Sequence, residues 1–109
     1  MVMCEYMACA KPVIASDMTG HADVITAHNA FCMTRYTPRY YRHMAEGFWF
    51  EPDPEELLEL LEQAYQNRRE GRIKGLQGAA DMASLSWKEA ARRFHAIGHA
   101  QLRLKGLAA

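Results

Sequence analysis

Four consecutive residues, Val13-Ile14-Ala15-Ser16, form an apolar run closed on one side by Lys11-Pro12 and on the other by the turn-forming stretch Asp17 to Gly20. An unbroken run of this length between breakers reads as a strand buried on both faces, the habit of parallel sheets. Strands that pair in parallel need a crossover connection, and helices cover the sheet they form. The run therefore commits the chain to an α/β plan.

The rest of the sequence supplies too few strands to complete that plan. Met1 to about Ala10 is apolar or small nearly all round, which predicts a buried helix; its one charge, Glu5, then needs a partner or a ligand. Gly20 is free to take a positive φ, and His21 to Ile25 has room for one or two helical turns. Ala30 to Thr34 is a second candidate strand. Residues 35–47, with four basic residues and three tyrosines around Pro38, read as a long loop, and Phe48-Trp49-Phe50 as a brief extended segment. Asp53, Pro54 and Glu56 have the spacing of a helix start with a capping box, and Leu57, Leu58, Leu60, Leu61, Ala64 and Tyr65 follow on helical spacing. A helix over about 69–82 is expected despite Gly71, Gly75 and Gly78. Ser86-Trp87-Lys88-Glu89 is a second capping box opening a helix over 86–104. The expected architecture is a single partial α/β unit over 1–109, a Rossmann-like fragment with a small parallel sheet of two or three strands and several flanking helices.

Composition narrows the class. A chain of 109 residues, half of them hydrophobic and about a quarter charged, is one soluble globular unit rather than a disordered or fibrous one. Thirteen basic residues balance thirteen acidic ones, so the total charge predicts no polyanionic partner. The interleaved cations and aromatics from Arg35 to His43 resemble a single-strand nucleic-acid binder, yet the neutral balance argues against that role. No apolar stretch is long enough for an integral membrane segment and no secretory leader precedes the first helix, so a cytoplasmic location is expected. Cys4, Cys9 and Cys32 are expected to be reduced, mostly buried thiols, and their spacing is not that of a metal site.

Several segments carry a family resemblance. Glu5-Tyr6-Met7-Ala8-Cys9-Ala10-Lys11-Pro12-Val13-Ile14-Ala15-Ser16-Asp17 resembles the E-A-M-A-C-G-x-P-V-I-A-S-D segment of retaining glycosyltransferases of the GT-B architecture, the large group 1 (family 4) set. Thr19 to Ile25 resembles the G-G-x-x-E-x-I turn that follows, Asn29-Ala30 the start of the next strand, Trp49 to Asp53 a W-x-E-P-D segment, and Ser86-Trp87 an F-S-W before the last helix. These matches fall in the family's order over nearly the whole chain. The resemblance implies the second half of a GT-B carboxy-terminal domain.

It also implies a donor-nucleotide site. Glu5 would accept hydrogen bonds from the ribose of a UDP- or GDP-hexose, with Cys4 and Met3 beside it and Thr19, Gly20 and Asp23 on a site-lining turn. The donor is a substrate, and neither a cofactor nor a metal is expected. The family's first motif glutamate would lie upstream of Met1, and the diphosphate clamp and acceptor domain lie outside these residues. Ala10 stands where the family has Gly, and Asp23 where it has Glu. No residue of this chain is thus assigned a catalytic role, and the chain alone is not expected to transfer sugar. The alternative is a non-catalytic module derived from that fold, which self-associates as a homo-oligomer or pairs with a separate amino-terminal half through the first helix and the sheet edge beside it.

Overall fold

The computed structural model describes residues 2–42 and 47–106. The elements in order are α1 (Val2–Ala8), β1 (Ile14–Ser16), a 3-10 turn (Thr19–His21), β2 (Phe31–Met33), β3 (Tyr36–Tyr41), β4 (Gly47–Pro52), α2 (Pro54–Gln66), α3 (Arg68–Met82) and α4 (Trp87–Leu104). β1 and β2 pair in parallel with Ile14 opposite Phe31 and Ser16 opposite Met33. The fold is therefore α/β with a two-stranded parallel sheet, as the Val13–Ser16 run requires.

The expected loop over 35–47 is corrected: Tyr36–Tyr41 is a strand, paired antiparallel with Gly47–Pro52 in a separate two-stranded sheet. Residues 43–46 of that stretch lie outside the described residues. Three tyrosines and a threonine, all residues of high strand propensity, suit a pleated ribbon, and Pro38 is tolerated because a two-stranded ribbon consists of edge strands. Cross-strand pairs hold it: Tyr40 meets Phe48 edge-on at 5.4 Å, Tyr41 meets Trp49 at 6.3 Å, and Arg39 pairs with Glu51 at 3.0 Å.

The helix expected over Met1 to Ala10 ends at Ala8, and it is half-covered rather than buried: Met7 is enclosed, whereas Tyr6 and Glu5 are exposed. It stops in a Schellman turn. Lys11 N–H donates to Tyr6 O at 3.0 Å, Ala10 N–H to Met7 O at 2.9 Å, and Ala10 holds the left-handed φ of 56° that this stop demands.

The glycines of α3 explain where it sits. Gly71, Gly75 and Gly78 are its buried residues, spaced so that they share one face. A Cβ on Gly75 would lie 2.4 Å from Ala10 O, and one on Gly78 would touch Met7 at 3.4 Å. α3 thus lies directly on the Schellman turn, where Gly75 meets the Ala10 backbone with no side chain between, and on the Met7 side chain of α1. At the far end Asn29, 1 % exposed, donates to Asp81 Oδ2 at 2.7 Å and to Val24 O at 3.1 Å, and accepts from Thr26 N–H at 2.7 Å. This amide ties the turn before β2 to the end of α3. The enclosed apolar residues are few: Met7, Ala15, Ile25, Ala30, Phe31 and Met33.

Two substitutions test the close approach by opposite signs. Gly75→Ala should destabilise the chain by about 2 kcal/mol in denaturant unfolding, because the backbone of Ala10 must shift and the resulting overpacking exceeds the helix-propensity gain. Gly98→Ala in α4, where nothing lies within 4 Å of the added Cβ, should stabilise it by roughly 0.5–1 kcal/mol. Ala10→Gly should add on the order of 1 kcal/mol by relieving the left-handed strain at the helix stop, read from the same unfolding curves.

Candidate functional site

In parallel sheets the carboxyl ends of the strands are where ligand clefts form, since the loops there are free to diverge. Here β1 ends at Ser16 and β2 at Met33. Asp17 N–H closes the edge by donating to Met33 O at 3.2 Å. The Tyr36 hydroxyl accepts from Asp17 N–H at 3.0 Å, donates toward Asp17 Oδ1 at 2.9 Å, and lies against Met33 O. A hydroxyl has a single proton, so Asp17 Oδ1 and Met33 O compete for it. Burial, reinforced by the hydrogen bond to the Asp17 carboxylate, pushes the Tyr36 pKa up, which keeps the phenol a donor near neutrality.

Beyond this edge lies a cleft of about 370 Å³ lined by Ser16, Met18, Thr19, His21 and Tyr36 on one side and by Phe48, Trp49 and Phe50 on the other. Strand alternation puts Tyr36, Tyr40, Phe48 and Phe50 on one face of the ribbon and Arg39, Tyr41, Trp49 and Glu51 on the other. Thr19 carries a φ of 53°, a strained value for a β-branched residue, and it does so at the cleft wall. The positive φ anticipated for Gly20 therefore falls one residue earlier.

The hairpin is held against the parallel pair mainly by polar ties, with Glu56 at their centre. Its carboxylate accepts from Thr34 N–H at 2.9 and 3.0 Å, from the Thr34 hydroxyl at 2.9 Å and from Arg35 N–H at 2.8 Å. Desolvation works to raise its pKa, yet these bonds and the nearby Arg35 charge outweigh it and hold the carboxyl below its ordinary value. Arg35 in turn reaches Glu59 at 2.8 Å and Asp53 at 3.3 Å. Asp53 caps α2 by accepting from Glu55 N–H at 2.9 Å, so the expected N-cap is present. Glu56 is spent on the end of β2 rather than on reciprocating that cap.

The residues that the resemblance assigns to a donor site are separated. Thr19 lines the cleft, whereas Asp23 belongs to a second hollow of about 640 Å³ beside Asn29, Gln77 and Asp81. Glu5 is on the exposed side of α1 and lines neither; Cys4 is half-buried beside it, and Met3 packs on the core. Cys32 is half-buried with its thiol pKa pushed up by burial, and Cys9 is exposed, contrary to the expectation of mostly buried thiols. Among the described residues no three His, Cys, Asp or Glu side chains converge as a metal site. None of the described helices is long and apolar enough to cross a membrane. Sequence reading did not single out Tyr36 or Asn29 as anchors, and it assigned Glu56 only to a cap. No family model matches the chain, and no curated protein and no solved structure matches it.

Glu56→Gln should lower the denaturation midpoint, because an amide nitrogen cannot accept from the Thr34 and Arg35 amides. The sign with pH follows from the depressed pKa: the stabilisation is present above the ordinary Glu value of about 4.3 and is lost as pH falls through the lower folded value. Stability measured from neutral pH downward should thus fall more steeply below about pH 4 in the parent chain than in the variant.

Proposed function

We propose that this chain is the carboxy-terminal part of the nucleotide-sugar-binding half of a cytoplasmic, retaining glycosyltransferase of the GT-B architecture, a Rossmann-like fragment that supplies the ribose side of a donor site. The single observation that carries the reading is the way the segment Glu5 to Asp17 folds: a helix, a left-handed stop at Ala10, and a parallel strand ending at Ser16, with Asp17 bonded to Met33 O just beyond it. Each motif residue has a physical task in that unit. Ala10 takes the geometry for which the family's Gly is suited, Pro12 starts the approach to the strand without needing an N–H partner, and Ala15 is small enough to be enclosed in the core. Glu5, exposed on α1, is free of the core and accessible to a ribose diol. Transfer itself needs a diphosphate clamp and an acceptor site from further polypeptide, whether attached or separate.

A second reading, a non-catalytic module completed by another surface, is favoured by shape. The radius of gyration is 18.6 Å where a compact chain of this length has about 13 Å, and the smallest dimension is 18 Å. A slab that thin has room for about two layers, and doubly wound units have three. Both readings call for a covering partner.

Isothermal titration with UDP, GDP and their hexoses tests the first reading. Weak binding, with Kd on the order of 0.1–1 mM for an incomplete site, is expected for one base and should vanish in Glu5→Ala. Absence of heat with every nucleotide would overturn it.

A further inference from the structure

α4 is the least covered element of the molecule. None of its residues is buried, and Trp87 (87 % exposed), Phe94 (81 %), Ile97 and Leu104 recur at helical spacing on one side. The remaining surface of the helix is basic: Lys88, Arg92, Arg93 and Arg103 stand against one carboxylate, Glu89. Arg92 and Arg93 hold Glu89 down to about 2, so it stays charged, and the helix is a net cation at any ordinary pH.

α2 carries the opposite pattern. Leu58, Leu61 and Tyr65 form an exposed stripe at i, i+3 and i+7, set apart from the Glu56 side that faces the sheet. Glu55 and Glu62 flank that stripe together with Glu59, which is already paired with Arg35; α2 itself contains no Lys or Arg, and Arg68, just beyond it, lies 4.8 Å over the Tyr65 ring. An apolar stripe with basic flanks thus matches an apolar stripe with acidic flanks, in a chain whose total charge is zero.

We infer that the partner of α4 is α2 of a second copy of this chain, in a two-fold dimer where each copy lays its α4 on the other's α2. The contact is made twice, as closed two-fold symmetry requires of an exchanged element. The four α4 side chains and three α2 side chains, hiding roughly 100 Å² each and counted in both contacts, give about 1,400 Å², within the range of roughly 1,200–2,000 Å² typical of stable interfaces. Four residues, 83–86, separate α3 from α4, so α4 is joined to the body by a short connection and stands clear of it. The inference goes beyond the proposed nucleotide chemistry and does not rest on it: the surfaces involved exclude Glu5 and the cleft at the end of β1.

Sedimentation velocity of the whole chain across a wide concentration range tests it. The parent chain should be a dimer. Phe94→Asp on α4 and Leu61→Asp on α2 should each raise the dimer dissociation constant at least about ten-fold while leaving the circular dichroism of the monomer intact. An equimolar mixture of the two variants should recover a heterodimer, since it restores one intact α4–α2 contact of the two. Ile97→Asp serves in place of Phe94→Asp if that variant loses helicity. A parent chain that stays monomeric would overturn the inference, as would a Leu61→Asp dimer as tight as the parent, which would mean that α4 pairs with itself. A monomer that instead co-floats with phosphatidylglycerol–phosphatidylcholine vesicles through α4 would assign the helix to an anionic membrane surface. Titration with nucleotides is unaffected by these variants, so failure of the dimer and failure of donor binding are read separately.

Discussion

The close approach of α3 to the end of α1 is the contact on which the rest of the structure depends. Gly75 sits so near Ala10 O that any Cβ would displace the backbone, and Gly78 lies against the Met7 side chain with room only for ordinary contact. Because no side chain intervenes at Gly75, the helix lies low on the turn that feeds β1. That depth lets Asp81 reach Asn29 across the sheet end and lets Lys74 extend over the Phe31 ring at 5.2 Å. Glycine is poor in a helix by roughly 1 kcal/mol a residue, and here it is offset by close packing, of Gly75 on the Ala10 backbone and of Gly71 and Gly78 on the side chains of Pro12 and Met7.

The small core follows from the same geometry. With six enclosed apolar residues among those described and a thin slab, the chain relies on polar anchors for long-range order. Asn29 makes three hydrogen bonds at one end of β2, and Glu56 receives four contacts at the other. A buried carboxylate without partners would be costly; one bonded to two backbone amides and a hydroxyl fixes the direction in which the chain leaves the strand. It is this bond set that aims the β3–β4 ribbon, and so sets the width of the cleft whose far wall is Phe48 to Phe50.

The elements legible in the sequence are those whose signals are local. Asp53-Pro54 and Ser86 predict helix starts that the structure shares, with Asp53 accepting from Glu55 N–H and Ser86 from Glu89 N–H. The apolar run at Val13–Ser16 predicts the parallel strand for the same reason, although with a single neighbour only its Ala15 is buried. The ribbon over Tyr36–Tyr41 was not legible because its strand character arises from cross-strand pairing with Gly47–Pro52, and Pro38 with four basic residues reads locally as a loop. The glycines of α3 read as helix weaknesses, since the surface they meet comes from residues some 65 positions earlier. Of the candidate site, the turn at Thr19 was legible, whereas Tyr36 and Glu56 act through backbone groups that leave no mark on the sequence.

The neutral total charge, which at first suggests a chain without electrostatic preference, is the sum of helices sorted by sign. α2 contains four carboxylates and no cation, α4 four cations and one carboxylate, and the two do not pack against each other within the chain. Unlike charges held apart on separate helices attract across molecules as readily as within one, and the desolvation of long Arg and Lys stems adds apolar contact to that attraction. Packing α4 against its own body would have thickened the slab and covered its aromatic side. Left free, α4 keeps its aromatic side in solvent, at a cost set by the apolar area exposed.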